Sequence, residues 1–178
     1  MDLTALPKRL TALRRHRKLS KAALARAAGI YRGVLIEIEG GGSATVYLGA
    51  VVALALALGV RPSTLLRGWT GTIPAAGSFD PPMNLEVFDV EWRRRLRAER
   101  KRRGLGAKAA ASFAGVQQPW LVRVETGVFA RVNLDSLVKL CNGLEIDLIK
   151  DIIVPAETAA LEDRHGHQHQ DEGHPVVG

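Results

Sequence analysis

The chain has 178 residues, 47% of them apolar, which is enough for one ordinary domain or two small helical ones, and its net charge of +7 favours a polyanionic partner. No apolar run approaches the roughly 20 residues of a membrane span, and the N-terminus lacks the pattern of a signal peptide. We therefore expect a cytoplasmic protein without membrane association, in which the single cysteine, Cys141, is a small core residue and no internal disulfide forms.

The chain contains an internal repeat without gaps at an offset of 86 residues. Four positions of the first copy and their counterparts show it: Leu19 and Leu105, Gly29 and Gly115, Glu39 and Glu125, Leu58 and Leu144. The two copies span residues 6–66 and 92–152. Two repeats are too few for a solenoid, so the pattern predicts a small domain present twice.

The first copy predicts five short helices. Leu6, Leu10 and Leu13 recur at helical spacing in the first, and Ser20 is suited to cap the second, which ends at Gly29. The remaining helices are predicted over residues 31–39, 46–58 and 62–66. The alternating run at 53–58, ALALAL, would suit a strand in isolation, but its leucines also fit helical spacing and alanine favours helix.

Between and after the copies the pattern changes. Residues 68–88 are rich in Gly and Pro, which predicts a linker between a domain at 1–67 and a domain at 89–154. Residues 155–178 show no apolar periodicity and predict a disordered, acidic, His-rich tail. Its histidines could bind metal weakly and adventitiously, but we expect neither a dedicated metal site nor a cofactor.

The charge is segregated along the second copy. Residues 92–131 hold 11 Lys/Arg and 2 Asp/Glu, whereas residues 132–178 hold 3 and 9. A basic block of this kind is typical of a surface that contacts nucleic acid, and the alternative is a set of ordinary solvated helix faces.

Residues 9–41, in the order Arg-Leu, Arg, Leu-Ser-Lys, Leu-Ala, Ala-Gly-Ile and Ile-Glu-Gly-Gly, resemble the Cro/C1-type (XRE-like) helix-turn-helix family of repressors. The second copy repeats the pattern from Arg95-Leu96 to Glu125-Thr126-Gly127. The resemblance implies an all-α fold of two lambda-repressor-like five-helix domains in tandem. It also implies turns at Gly29 and Gly115 and structural ion pairs that join Arg14 to Glu39 and Arg100 to Glu125.

By the same resemblance, the recognition helix of the second copy begins near Gln117. The residues expected to contact bases are Gln117, Gln118, Trp120 and Arg123. A glutamine can bond adenine N6 and N7 together, and an arginine can bond guanine or a phosphate. The alternatives are a core or interface position for Trp120 and a solvated helix start for the glutamines.

Contacts to the DNA backbone are expected from a larger, mostly cationic set: Arg93, Arg94, Arg103, Lys108, Lys21, Tyr31 and Arg32. The first copy departs from the pattern at its recognition helix. Gly33 weakens that helix by about 1 kcal/mol relative to alanine, and Glu37 stands where the second copy has Arg123. Base recognition is therefore expected mainly from the second copy.

The fourth helix of the first copy is apolar all round, which is typical of a buried helix. This helix could associate with the same helix of a second chain in a homodimer, or with the linker and the second copy of its own chain. We expect a sequence-specific regulator of transcription that binds double-stranded DNA on the nucleoid, a repressor in preference to an activator. The alternative is a protein-interaction module, an antitoxin or adaptor, with only non-specific DNA affinity. Motifs typical of enzymes are missing, so catalysis is not expected.

Overall fold

The structure, a computed structural model, describes residues 3–42, 46–75, 83–128 and 131–168, with the backbone alone for 164–168. Within these ranges the chain is helical and contains no strand, which confirms the all-α expectation. None of the helices in this part combines the length and the apolar character needed to cross a bilayer.

The first copy forms the five helices that its spacing predicts. They are α1 (Leu6–His16), α2 (Lys21–Ala27), α3 (Arg32–Glu39), α4 (Leu48–Ala57) and α5 (Pro62–Arg67). The hydroxyl oxygen of Ser20 accepts a hydrogen bond from the Ala23 amide at 3.0 Å, so the predicted N-cap of α2 is confirmed. The ALALAL run is helical, with Leu54 and Ala55 fully buried in α4.

The second copy repeats this order with one extended helix. Its elements are α6 (Leu85–Arg102), α7 (Ala107–Phe113), α8 (Gln118–Glu125), α9 (Leu134–Gly143) and a π-helical segment (Leu148–Ile153). Helix α6 begins seven residues before Trp92, because the side chain of Asn84 caps it by accepting from the Glu86 amide at 3.1 Å. Leu85 and Phe88, which the sequence assigned to the linker, belong to this helix.

The C-terminal segment differs from the expected disorder. The π-helical segment continues into α10 (Val154–Gln168), where Ala156, Glu157 and Ala160 are buried. The apolar signal was missed because it consists of two alanines one turn apart. Residues 169–178, the remainder of the tail that we expected to be disordered, lie outside the described residues.

Equivalent residues of the two copies pair with each other across the interface between the domains. The Leu48 amide donates to the Val132 carbonyl at 2.9 Å, and the Leu134 amide donates to the Val46 carbonyl at 2.8 Å. These two bonds flank an antiparallel bridge between Tyr47 and Asn133, which occupy the same position in the two copies, 86 residues apart. The copies are therefore related by a local pseudo-twofold axis at this bridge.

Two further features obey the same symmetry. Helix α5 packs against the π-helical segment, its own counterpart at the offset of 86. A groove of about 530 Å³ lies between α1 and α9, and its counterpart of about 170 Å³ lies between α6 and α4. Phe88, from the extra turns of α6, lines the smaller groove with Val52 of α4. Of the two associations considered for α4, the structure thus shows the one with the second copy.

Helix α10 holds the two copies together from outside the axis. It packs along α6, and the backbone amide of Asn84, the residue before α6, donates to the Ala160 carbonyl at 3.0 Å. Its fully buried Glu157 accepts hydrogen bonds from the amide of Ser63 at 2.6 Å and from the Ser63 hydroxyl at 2.7 Å. The C-terminal helix of the second copy is therefore tied to the start of α5 in the first.

The start of the linker is anchored on the first copy. The guanidinium of Arg17 donates to the carbonyl of Leu58 at 3.2 Å and to that of Pro74 at 2.7 Å. Arg9 donates to the carbonyl of Leu66 at the end of α5. Residues 68–75 therefore do not swing free of the domain that precedes them.

Burial raises the pKa of Glu157, although hydrogen bonds from Ser63 and the charges of Arg61 and Arg67 oppose the rise. A carboxyl whose pKa is higher in the folded state stabilises the fold at low pH and loses that contribution as pH rises through the folded pKa. We expect the unfolding free energy of Glu157→Gln, which does not titrate, to increase relative to that of the wild type between acidic and alkaline pH, because only the wild type loses the contribution of the protonated carboxyl. Urea denaturation across this range measures the gain, and a difference independent of pH would contradict it.

Candidate nucleic-acid interface

Helix α8 presents one polar face to solvent and buries the opposite face. Leu121 and Val124 are fully buried, whereas Gln117, Gln118 and Arg123 are exposed. Gln117 occupies the N-cap position but its side chain makes no capping hydrogen bond. Its amide therefore remains available for a ligand in front of the helix.

Trp120 does not share this face. Its side chain is half-buried and packs against the core, as its counterpart Val34 does in the first copy. This placement favours the alternative of a packing role over direct contact with DNA. Val122, which sequence reasoning missed, is 40% exposed one helical turn after Gln118 and is placed to offer an apolar contact to a thymine methyl group.

The corresponding face of α3 is different in chemistry. Its exposed residues are Tyr31, Arg32, Gly33, Ile36 and Glu37, with Tyr31 83% exposed. Lys21, one of the residues expected to contact the DNA backbone, lies 3.4 Å from Glu39, so its ammonium already has a carboxylate partner. The two recognition helices thus have equivalent backbones but different exposed side chains. Those of α8 are neutral or cationic, whereas those of α3 include both a cation and a carboxylate.

Arg93 requires a correction. We expected it to contact phosphate, but it is buried beneath the domain surface. Its guanidinium bonds both carboxylate oxygens of Asp89, at 2.9 and 3.0 Å, donates to the Val124 carbonyl at 2.6 Å, and lies 4.5 Å from the centre of the Trp92 ring. Because its guanidinium is buried and already bonded within the domain, Arg93 supports the end of α8, and we no longer expect it to bind a phosphate.

Arg94 and Arg103 are also held by carboxylates, at the surface of α6. Arg94 donates twice to Glu91 at 2.6 Å, and these bonds hold the pKa of Glu91 below its ordinary value. Arg103 donates to Glu99 and to the Glu145 carbonyl at 2.9 Å. A phosphate would have to compete with these partners, so both residues are weaker candidates for backbone contact than the sequence suggested.

Five exposed cations of the second copy have no ion-pair partner in the part of the chain that the structure describes. They are Arg97, Lys101, Lys108, Arg131 and Lys150. Lys108 lies in the first turn of α7, and Arg131 lies in the segment that joins α8 to α9. In sequence they flank the recognition helix, and their counterparts in the first copy, Ala22 and Thr45, are uncharged.

A buried ion pair fixes each recognition helix to the first helix of its domain. Arg14 donates to the two carboxylate oxygens of Glu39 at 2.6 and 3.0 Å, and Arg100 donates to those of Glu125 at 2.6 and 2.7 Å. Burial raises the pKa of Glu39, but the hydrogen bonds and charges of Arg14 and Lys21 together lower it by more. The pKa of Glu39 therefore lies below its ordinary value. The two pairs hold α3 and α8 in equivalent orientations within their domains.

The turns before the recognition helices also match. Gly29 has φ +64° and Gly115 has φ +62°, the left-handed conformation that favours glycine. Each turn is closed by a backbone bond, from Ile30 to the Ala25 carbonyl and from Val116 to the Ala111 carbonyl. Helices α2 and α3, and likewise α7 and α8, therefore form a helix-turn-helix.

Comparison with known families agrees with this geometry. Residues 9–67 match the family described as Cro/C1-type HTH DNA-binding domain, and residues 92–148 match one described as helix-turn-helix domain. The chain therefore carries two helix-turn-helix domains in tandem, and the first of them is of the Cro/C1 type. Comparisons with curated proteins and with solved structures gave no significant match.

The sequence predicts only weak, adventitious metal binding by the histidines of the C-terminal segment. Among the described residues, no group of three or more His, Cys, Asp or Glu side chains could hold a metal ion. The side chains of His165 and His167, and the whole of His169 and His174, lie outside the described residues.

Breaking a buried ion pair should destabilise the second helix-turn-helix domain. We expect Arg100→Met to lower the unfolding free energy by about 3–5 kcal/mol, because it leaves the Glu125 carboxylate buried without a partner. Adding Glu125→Leu to that variant should recover most of the loss, since both charges are then gone. Urea denaturation measures both effects.

Arg97→Met, at an exposed position of the same helix, is the control and should change stability by less than about 0.5 kcal/mol. A double variant as unstable as Arg100→Met alone would show that the pair is not the source of the effect.

Proposed function

We propose that this tandem helix-turn-helix protein is a sequence-specific, double-stranded DNA-binding regulator of transcription that acts as a repressor and recognises bases mainly with its second domain. The observation that carries the proposal is the exposed face of α8. Two glutamines, a valine and an arginine share this face, and two unpaired cations flank the helix in sequence.

The mechanism follows from the chemistry of these groups. Helix α8 enters the major groove with its N-terminal end leading, so that Gln117 and Gln118 meet base edges first. An amide side chain bonds adenine N6 and N7, and Arg123 bonds guanine O6 and N7 or a phosphate, while Val122 contacts a thymine methyl group. Lys108 and Arg131 bond phosphates and position the domain without distinguishing sequences. Occupancy of a promoter by such a protein on the nucleoid excludes polymerase, and repression needs nothing more.

One observation favours a second candidate function. Tyr31 and Ile36 are exposed on α3 beside Glu37, a face with more of the character of a protein contact than of a DNA contact. An antitoxin or adaptor would use this face for a partner and the basic residues for non-specific DNA affinity. The two functions differ in whether α8 selects a sequence.

Base recognition by α8 predicts a loss of discrimination at one position of the DNA site. From a random pool of duplexes, the full chain should enrich a common sequence. On that sequence Gln118→Ala should lose about 1–3 kcal/mol of preference for a single A·T pair, because the bidentate bond to adenine is gone. Mobility-shift titrations against each base substitution measure the preference.

Thr158→Ala, which removes an exposed polar group from α10, serves as the control and should keep the full preference. If the pool yields no enriched sequence, the adaptor with non-specific affinity replaces the regulator.

Backbone contact by Lys108 predicts a change in salt dependence in place of specificity. Lys108→Ala should weaken binding to all sequences alike and reduce the slope of log K against log salt by about 0.9, the release expected for one phosphate contact. Lys150→Ala, at an exposed position of the π-helical segment, should leave that slope as it is. Equal slopes for Lys108→Ala and the wild type would remove Lys108 from the interface.

A further inference from the structure

We infer that a single chain is the complete DNA-binding unit: its two domains form an intramolecular pseudo-dimer that binds one duplex at two unlike half-sites, without a second copy of the chain. This inference rests on the proposed function, since it names the class of DNA site that the regulator takes. It replaces the homodimer that the sequence led us to consider.

The interface between the two domains is symmetric. Equivalent residues pair at the bridge between Tyr47 and Asn133, and equivalent elements pair where α5 meets the π-helical segment. A rotation about a twofold axis leaves the component of any direction along that axis unchanged. The exposed faces of α3 and α8 therefore point the same way along the pseudo-twofold axis. Symmetric dimers place two recognition helices on one side of a duplex by the same relation.

The patch that each domain offers at this interface is already covered by the other domain. In an isologous dimer, each copy offers the same patch to its partner. Here the patch of the first domain, residues 46–48 and α5, is covered by the matching patch of the second. The bond from Ser63 to Glu157 of α10 seals its edge. A second chain could reach these surfaces only by displacing the first chain's own domain.

The two half-sites must differ, because the exposed residues of the two recognition helices differ. Along α8 the exposed residues are Gln117, Gln118, Val122 and Arg123, and at the equivalent positions of α3 they are Tyr31, Arg32, Ile36 and Glu37. Where Arg123 meets guanine, a carboxylate at 37 would accept from the amino group of cytosine. The site is then an imperfect inverted repeat whose arms have different sequences, so the protein binds it in one orientation only.

A cross-link at the pseudo-twofold axis tests whether this arrangement binds DNA. The hydrogen-bond pattern makes Tyr47 and Asn133 a non-hydrogen-bonded antiparallel pair, for which the Cα atoms lie about 4.5 Å apart, within the range that a disulfide spans. The variant carries Tyr47→Cys and Asn133→Cys in the full chain. Burial raises the pKa of the native Cys141 thiol to about 12, so that thiol does not compete in the oxidation.

The probe is the duplex that the wild-type chain selects from a random pool. The oxidised variant should form an intramolecular disulfide and bind this duplex within about twofold of the reduced variant's affinity, because locking a state that is already dominant changes little. Light scattering should give the 19.3 kDa mass of one chain for the free protein and one chain per duplex in the complex. Hydroxyl-radical footprinting should protect two segments about one helical turn apart.

The outcomes separate the two proposals. If the wild type selects a sequence but the oxidised variant loses it by tenfold or more, about 1.4 kcal/mol, or if two chains occupy each duplex, the pseudo-dimer is wrong and the regulator stands. If the pool yields no selected sequence, the regulator fails and the pseudo-dimer as a DNA-binding unit fails with it. The single variants Tyr47→Cys and Asn133→Cys control for loss of either side chain, and both should bind as the wild type does under oxidising conditions.

Discussion

The pairing of backbone groups between residues 46–48 and 132–134 is the constraint on which the arrangement of the molecule depends. A domain of about 60 residues buries a modest fraction of its surface and has little stability to spare. Pairing two such domains through equivalent positions joins their cores into one buried cluster, which runs from Leu6 to Ala160. The recognition helices gain fixed positions relative to each other from the same contact, so stability and the geometry of the binding surface have a common origin.

Most of the fold could be predicted because the same pattern is present twice. Leu10, Leu19, the turn glycine at 29 and Glu39 recur at the offset of 86 as Leu96, Leu105, Gly115 and Glu125, so the helices of the second copy followed from those of the first. The start of α6 could not be predicted in this way, since residues 85–91 precede the repeat that begins at Trp92. Helix α10 was missed because alanines give a weak apolar signal. The bridge at Tyr47 was out of reach, because its bonds are made by the backbone, which carries no side-chain signature.

The candidate site was predicted in outline and changed in its details by burial. Gln117, Gln118 and Arg123 lie on the exposed face of α8 as their spacing indicates. Trp120 was assigned to that face by the family resemblance, although it packs against the core as its counterpart Val34 does. Arg93 was counted among the surface cations because the second copy was expected to begin at Trp92, so Asp89, which binds it, was not placed on the same helix. Charge patterns alone do not distinguish a cation that awaits a phosphate from one that already holds a carboxylate.

Covalent joining of the two copies has a consequence for how such a protein responds to its own concentration. A regulator that must dimerise before it binds loses occupancy steeply on dilution, because the concentration of its dimer falls with the square of the subunit concentration when monomers dominate. For a regulator whose halves meet through the bridge at Tyr47 and Asn133, the effective concentration of one half near the other is fixed by the chain. For the proposed regulator, promoter occupancy therefore rises hyperbolically with the number of molecules in the cell, without a threshold, and even a few copies give a proportionate response.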